Sequence, residues 1–134
     1  MRRIACAVVA TLAITSGAGA SWAVGASGTA ATKAKTMLGG NVPSGSASGS
    51  SVTLTWTASL FADGSTIPSY VIRRFNGVTS AEATVLSACS GIVTGTTCTE
   101  NGVPLGSWKY TVTPAAGAWR GAQSAQSAAI LVTL

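Results

Sequence analysis

A strict two-residue alternation in the middle of the chain constrains the fold more than any other feature of the sequence. Between Ser51 and Ala58, the apolar residues Val52, Leu54 and Trp56 alternate with threonines. Successive side chains of a β-strand point to opposite faces, so this pattern predicts a strand with one buried face. No stretch after residue 23 shows the capped 3.6-residue apolar period of an amphipathic helix.

Further β-rich runs follow at a spacing of roughly ten residues. They cover residues 70–75, 78–86, 91–99, 108–113 and 128–134. Turn-forming pairs separate several of them, namely Asp63-Gly64, Asn76-Gly77 and Asn101-Gly102. Short strands at this spacing predict an all-β fold, an antiparallel immunoglobulin-like sandwich of two sheets with about seven strands.

The predicted core joins two of these strands. In the run 108–113, the side chains that share one face are Trp108, Tyr110 and Val112, while Lys109 lies on the other face. We expect the aromatic face to be buried. Tyr110 and Val112 should then meet Val52, Leu54 and Trp56 across the two sheets.

The first 23 residues have the three parts of a secretory signal peptide. Arg2 and Arg3 give a positive start, an apolar run follows, and small residues suited to cleavage come after it. We predict cleavage after Ala20 or Ala23 and export to the extracellular medium or the cell surface. A retained membrane anchor stays open as an alternative, because no charged residue occurs between Arg3 and Lys33.

The residues after the leader are small and polar. Residues 24–39 are predicted to form a flexible stalk or linker, because their side chains bury too little apolar area to offset the ordering of the backbone. The sandwich is then expected to occupy residues 40–134.

The cysteine count fits export. The chain has three cysteines, and removal of Cys6 with the leader leaves Cys89 and Cys98. In an oxidising compartment these two are predicted to form a disulfide. Two buried thiols are the alternative. A zinc site is disfavoured, because zinc draws on cysteine and histidine and the sequence has no histidine.

The sequence offers little catalytic chemistry. Without histidine there is no Ser-His or Cys-His nucleophile pair. Of the three carboxylates, Asp63 is interpreted as a turn former, and Glu82 and Glu100 as solvated charges, rather than as the converging pair that glycoside hydrolysis needs. No glycine-rich phosphate loop opens a helix. We therefore predict a non-enzymatic protein with no cofactor and no metal site.

Four side chains form a candidate ligand surface, namely Arg73, Lys109, Trp119 and Arg120. Trp119 and Arg120 fall in the predicted loop before the last strand, where an aromatic ring beside a basic group can stack on a sugar or attract an anionic polymer. The interpretation favoured for Trp119 is instead a lid over the end of the core. Arg73 and Lys109 alternate outward on neighbouring strands, where charges also keep a sheet edge soluble.

A family resemblance accompanies these patterns. The segments VTLTWTA, SYVIRRFNG and GVPLGSWKYTVTP resemble a fibronectin type III domain over residues 40–134. The paired cysteines, the GSWKY strand and the later WRGAQS segment resemble a variant common in exported proteins of high-GC Gram-positive bacteria. The resemblance implies core roles for Trp56 and Tyr70, and a Tyr110 hydroxyl that ties back to the corner between strands. Arg120-Gly121-Ala122 departs from the Arg-Gly-Asp of the animal modules, so integrin-type recognition is not implied.

Together these patterns predict an exported, non-enzymatic interaction or spacer module at the cell surface or in the medium. Its expected partner is a protein or a cell-wall polysaccharide. Two alternatives are an accessory carbohydrate-binding module that assists polysaccharide degradation, and a membrane-tethered or pilus-like subunit. Without the leader, the chain has six cationic side chains and three carboxylates, a net charge of +3. This charge is too small to predict a nucleic-acid partner. Membrane contact is expected only if the leader is uncleaved.

Overall fold

A computed structural model describes residues 35–134, in which two antiparallel sheets form a sandwich. The strands are β1 (Ser44–Ser48), β2 (Ser51–Thr55), β3 (Ser69–Asn76), β4 (Glu82–Ala83), β5 (Ile92–Thr94), β6 (Thr97–Glu100), β7 (Gly106–Ala116), β8 (Trp119–Arg120) and β9 (Ile130–Val132). The prediction of an all-β antiparallel sandwich is confirmed. The predicted leader, its cleavage points and the alternative anchor lie outside the described residues, as does the predicted stalk up to residue 34. Among residues 35–134, no helix has the length and apolar character needed to cross a membrane.

The two sheets differ in width. The first sheet has the order β1-β2-β6, and the second has the order β4-β3-β7-β8, with β5 added to β3 and β9 added to β7. The longest pairing joins β3 to β7, from Ser69 opposite Ala115 to Asn76 opposite Trp108. This pair forms the centre of the second sheet and sets the positions of the charged side chains on its outer face.

The core lies between the sheets, as the alternation predicts. Val52 and Leu54 of β2 are fully buried, and so are Tyr110 and Val112 of β7. Trp56 is also buried, and its ring meets the buried ring of Tyr70 edge-on, with the centroids 5.5 Å apart. The core positions predicted on the two facing strands are therefore confirmed.

A disulfide joins Cys89, in a short 3₁₀ turn at Ser87–Cys89, to Cys98 in β6. Both cysteines are buried, and their Cα atoms are 5.3 Å apart, which is an ordinary disulfide separation. The predicted pairing is confirmed. It ties the 3₁₀ turn that precedes β5 to the first sheet.

The predicted run 91–99 is two strands rather than one. The chain turns at Gly95, where φ is 88°, a left-handed conformation that glycine adopts without steric cost. On one side of this turn β5 pairs with β3, and on the other side β6 pairs with β2. The run therefore passes from the second sheet to the first. The predicted run 78–86 shortens to the two residues of β4.

Small residues hold the first strand close to the core. β1 has no large apolar side chain, and it pairs with β2 through its backbone. A Cβ atom at Gly45 would lie 2.7 Å from the side chains of both Leu54 and Ile130. Glycine is therefore needed at Gly45, because a larger side chain would push β1 off the core.

Backbone hydrogen bonds to the sandwich begin before residue 40, the predicted start of the domain. The N–H of Leu38 donates to the carbonyl of Leu60 over 3.0 Å, and the N–H of Gly40 donates to the carbonyl of Ala122 over 2.9 Å. A Cβ atom at Gly40 would collide with the carbonyl oxygen of Val112. The chain therefore passes close to β7 here.

Two serines continue the hydrogen bonding of β7 between β8 and β9. The N–H of Ser124 donates to the carbonyl of Val112 over 2.9 Å, and the Ser124 hydroxyl oxygen accepts the N–H of Val112 over 3.0 Å. Ser127 makes the same two bonds to Tyr110, over 2.8 and 3.0 Å. Serine oxygens thus replace the backbone carbonyls of a regular strand, which accounts for the repeated AQS of residues 122–127.

Candidate functional site

The outer face of the second sheet brings two of the predicted ligand residues together. Arg73 of β3 lies two residues from Val71, and Val71 pairs with Thr113 of β7. Arg120 of β8 pairs with Ala115, two residues further along β7. Because side chains two residues apart share a face, Arg73 and Arg120 reach the same part of the surface, although 47 residues separate them in the sequence.

A depression of about 220 Å³ lies between these two arginines, and we call it the arginine depression. It is lined by Val71, Arg73, Thr113, Arg120, Gly121 and Gln123. Arg73 is exposed, and its Nε lies 3.7 Å from Glu82 Oε1. Such an exposed pair contributes little energy and leaves the guanidinium available to a ligand.

The backbone orients the guanidinium of Arg120. Its Nη1 donates to the carbonyl of Gly117 over 2.8 Å and to the carbonyl of Trp119 over 2.9 Å. These bonds involve one nitrogen of a group that carries five N–H donors. The remaining donors of Arg120 are available at the surface.

Trp119 lines a second, larger depression of about 460 Å³, which we call the tryptophan depression. Its lining residues are Lys35, Met37, Trp119, Arg120, Gly121 and Ala122. Trp119 is 56% exposed, so the favoured interpretation of this residue as a lid over the core is wrong. The reason is its position, because β8 pairs with the last two residues of β7, at the end of the sheet.

Lys109 stands apart from the other three candidate residues. It pairs with Phe75 across β3 and β7, two positions beyond Arg73 on the same outer face. It lines neither the arginine depression nor the tryptophan depression. The predicted ligand surface therefore divides into a site with Arg73, Trp119 and Arg120, and a separate half-buried lysine.

Positive charge is in excess on this side of the molecule. Residues 35–134 carry five cationic side chains and three carboxylates. The ion pairs among them are Lys35 with Asp63, Arg73 with Glu82, and Arg74 with Glu100. Within the same residues, Lys109 and Arg120 take part in no ion pair. The unneutralised charge thus lies on the second sheet.

The lysine of the tryptophan depression is held by its neighbours. Lys35 Nζ lies 3.0 Å from Asp63 Oδ2 and 5.2 Å from the centre of the Phe61 ring. Hydrogen bonds from Ser65, together with the Lys35 ammonium, hold the pKa of Asp63 well below its usual range. Lys35 therefore already has a carboxylate, a hydroxyl and an aromatic ring as neighbours, whereas Arg120 has no carboxylate partner among residues 35–134.

The outer face of the first sheet is uncharged. Its side chains are hydroxyls and an amide arranged in rows, and several bond to one another: Ser44 to Thr55, Thr53 to Thr99, and Ser51 to Asn101. The Thr53 and Thr99 hydroxyls are 3.1 Å apart. This face is a useful control surface, because it belongs to the same fold and lacks the charges of the second sheet.

A buried ion pair was missed in the sequence. Glu100, expected to be a solvated charge, is fully buried, so that expectation is wrong. Its Oε1 accepts hydrogen bonds from Arg74 Nη1 over 2.6 Å and from the N–H of Leu86 over 2.8 Å. The alternation Cys98-Thr99-Glu100 carries a usable signal, because it places Glu100 on the same face as the buried Cys98.

The Tyr110 hydroxyl donates to Glu100 Oε2 over 2.8 Å. The resemblance implied that this hydroxyl ties back to the corner between strands. The hydroxyl bonds to the side chain of Glu100, the last residue of β6. Burial, together with this hydrogen bond, raises the pKa of Tyr110 well above its usual range. Because these groups are buried and bonded to one another, we assign them to the stability of the fold.

No cluster of metal-ligating side chains is seen in the part of the chain that the structure describes. Among residues 35–134, no three potential ligands from histidine, cysteine, aspartate and glutamate come together. The three carboxylates are distributed over separate ion pairs rather than across one cleft. What the arrangement offers is binding, through two guanidinium groups and an exposed indole ring at two adjoining depressions.

The fold and site define a small disulfide-bonded β-sandwich with a basic, aromatic surface at one end of its second sheet. The chain matches no protein-family model and no curated protein.

Proposed function

We propose that the protein is an exported, non-enzymatic interaction module that binds a partner at the cell surface or in the surrounding medium through the arginine and tryptophan depressions. The observation that carries the proposal is the exposure of Trp119 beside Arg120, which has no carboxylate partner among the described residues. Tryptophan and arginine are both among the residue types most enriched at the hot spots of protein interfaces.

The strand order supports a fibronectin type III-like sandwich as the scaffold. The first, second and sixth strands form one sheet, and the third and seventh strands form the centre of the other. Trp56 and Tyr70 are both buried, in the core roles that the resemblance implies, and their rings contact each other. In sandwiches of this kind, recognition residues commonly lie at the ends of the sheets, where Trp119 and Arg120 lie.

Three features support export. The N-terminus has the pattern of a signal peptide, the cysteines left after its removal are paired, and the disulfide they form is of the kind that persists in oxidising compartments. The carboxylates support a non-enzymatic role, because Glu100 is enclosed with Arg74 and Asp63 is held by Lys35.

The export part of the proposal is tested on the full chain expressed in a secreting bacterial host. We expect a product that starts at Ser21 or Val24 by N-terminal sequencing. Its intact mass should increase by two hydrogen atoms on reduction. Accumulation of the unprocessed chain in the cytosol with free thiols would overturn this part.

The binding part is tested by sedimentation with cell-envelope material of the producing bacterium. We expect the processed protein to sediment with the envelope, and Trp119→Ala to reduce the sedimented fraction. Thr53→Ala, on the uncharged face of the first sheet, should sediment like the wild type. Failure of the wild type to sediment, or equal loss in both variants, would contradict binding through this surface.

A further inference from the structure

The two depressions adjoin, and this sets the size of a ligand that can use both. Arg120 and Gly121 line the arginine depression and the tryptophan depression alike. A single sugar or a free anion fills one of them, whereas an extended chain can occupy both at once. The tryptophan depression, at about 460 Å³, is within the usual range for small-molecule sites.

The arginine depression is suited to an anion. Guanidinium groups bind carboxylate, sulfate and phosphate through parallel N–H donors, and two of them, from Arg73 and Arg120, line this depression. The other polar side chains of the lining, Thr113 and Gln123, are uncharged. An anionic group placed here meets two positive charges and no carboxylate of the lining.

The tryptophan depression is suited to a ring. Trp119 presents more than half of its surface to solvent, and Met37 adds a second apolar side chain. The flat indole face offers a large apolar contact area at low conformational cost, and Lys35 is also part of the lining. A ring with apolar C–H faces and polar edges, which is the shape of a pyranose, matches this lining.

We propose that the two depressions together bind an acidic polysaccharide, with the anionic group of one sugar between Arg73 and Arg120 and the ring of a neighbouring sugar on Trp119. This inference rests on the proposed function and names its ligand. A polymer with alternating rings and acidic groups satisfies both depressions, whereas a neutral glycan brings no anionic group to the two guanidinium groups. Nucleic acid fits less well, because a nucleic-acid binder typically makes about six to ten phosphate contacts and this surface offers few cations.

Calorimetric titration of the processed, disulfide-bonded protein tests the inference. The probes are polygalacturonate, the same polymer with its carboxyl groups methyl-esterified, and dextran sulfate with neutral dextran as its control. We expect binding to polygalacturonate and loss of binding to the esterified polymer. Dextran sulfate shows whether sulfate replaces carboxylate in the arginine depression, and neutral dextran should not bind.

Two substitutions that remove the same charge separate a site from general attraction. Arg120→Gln and Lys109→Gln each remove one positive charge from the outer side of the second sheet, but only Arg120 lines the depressions. We expect Arg120→Gln to weaken binding about tenfold or more, as loss of a charged hydrogen bond does. Lys109→Gln should change it by less than about threefold. Trp119→Ala should weaken binding to a degree similar to Arg120→Gln, and thermal unfolding of each variant checks that the fold is kept.

Each contrary result has its own meaning. Equal weakening by Arg120→Gln and Lys109→Gln would reduce the effect to unspecific charge attraction and overturn the site. Equal binding of the esterified polymer would overturn the role of the anionic group. If the wild type sediments with cell envelopes but binds none of these glycans, the ligand class is wrong while the proposed function stands. If it does neither, the proposed function itself fails.

Discussion

Replacing Arg74 with methionine should destabilise the sandwich far more than an arginine substitution usually does. Arg74 is 4% exposed. Its Nη1 lies 2.6 Å from Glu100 Oε1, its Nη2 donates to the carbonyl of Thr84 over 2.7 Å, and its Cζ lies 4.6 Å from the centre of the Trp108 ring. Methionine keeps an apolar contact with Trp108 but removes the charge and both hydrogen bonds.

The expected cost follows from what the substitution leaves behind. Glu100 stays fully buried and keeps its hydrogen bonds from Leu86 and Tyr110, but it loses its positive partner. Leaving one member of a buried ion pair without its partner costs about 3–5 kcal/mol. Because small domains have a free energy of unfolding of about 5–15 kcal/mol, this loss is a large share of the total.

Urea unfolding with the disulfide intact measures this cost, with the buried Trp56 and Trp108 as fluorescent probes. The matched control is Arg73→Met, the same substitution one residue earlier. Arg73 is exposed and lies 3.7 Å from Glu82, so its replacement should cost at most about 1 kcal/mol. The contrast between adjacent arginines isolates burial from charge.

The double variant Arg74→Met/Glu100→Gln tests whether the two side chains act as a pair. We expect its loss of stability to be smaller than the sum of the two single losses by about 1–3 kcal/mol, since the second substitution removes the charge that the first leaves unpaired. The reasoning is refuted if Arg74→Met costs less than about 1 kcal/mol with an unchanged urea dependence, or if the two losses simply add.

Three further predictions concern the disulfide, the serine bonds and the buried tyrosine. Cys89→Ser/Cys98→Ser should lower the free energy of unfolding by about 2–3 kcal/mol in the same urea assay, because the disulfide closes a short loop, and an unchanged midpoint would contradict this. Ser127→Ala leaves the buried N–H of Tyr110 without its side-chain acceptor and should cost about 1–3 kcal/mol by thermal unfolding, whereas the exposed control Ser46→Ala should stay within about 0.5 kcal/mol. Because the pKa of Tyr110 is raised, the folded protein keeps the phenol proton above about pH 10, where the unfolded chain loses it. The contribution of Tyr110 to the free energy of unfolding is therefore complete below that pH and decreases as the pH rises further. Tyr110→Phe should lack this part of the alkaline loss when urea midpoints are compared at pH values on both sides of 10, and parallel curves for the two proteins would show the assignment to be wrong.

The alternation of residues predicted the centre of the fold well. Val52, Leu54 and Tyr110 lie where the two-residue period places them, because a strand with one buried face must alternate. The pairing of Cys89 with Cys98 also followed from the sequence, since only these two cysteines remain after the predicted leader. Both features depend on chemistry that is local in the chain or on a simple count.

The candidate site was predicted less completely. Trp119, Arg120 and Arg73 were named from the sequence, but nothing in the chain shows that Arg73 and Arg120 share a depression that Lys109 does not line. That grouping depends on the register of β3 against β7 and of β7 against β8. Register is a property of strands far apart in sequence, so no local pattern carries it.

The sequence by itself determined the alternating, buried apolar positions on the central strands β2 and β7, and the absence of histidine. Only the tertiary structure decided which segment packs against each face of a strand, and therefore which side chains are buried. It buries Glu100 against Arg74, sends β5 and β6 to different sheets, and leaves Trp119 exposed at the end of β7. The physical reason is that the direction of a side chain is set by the backbone period of its own strand, whereas its burial is set by whichever distant segment packs on that side.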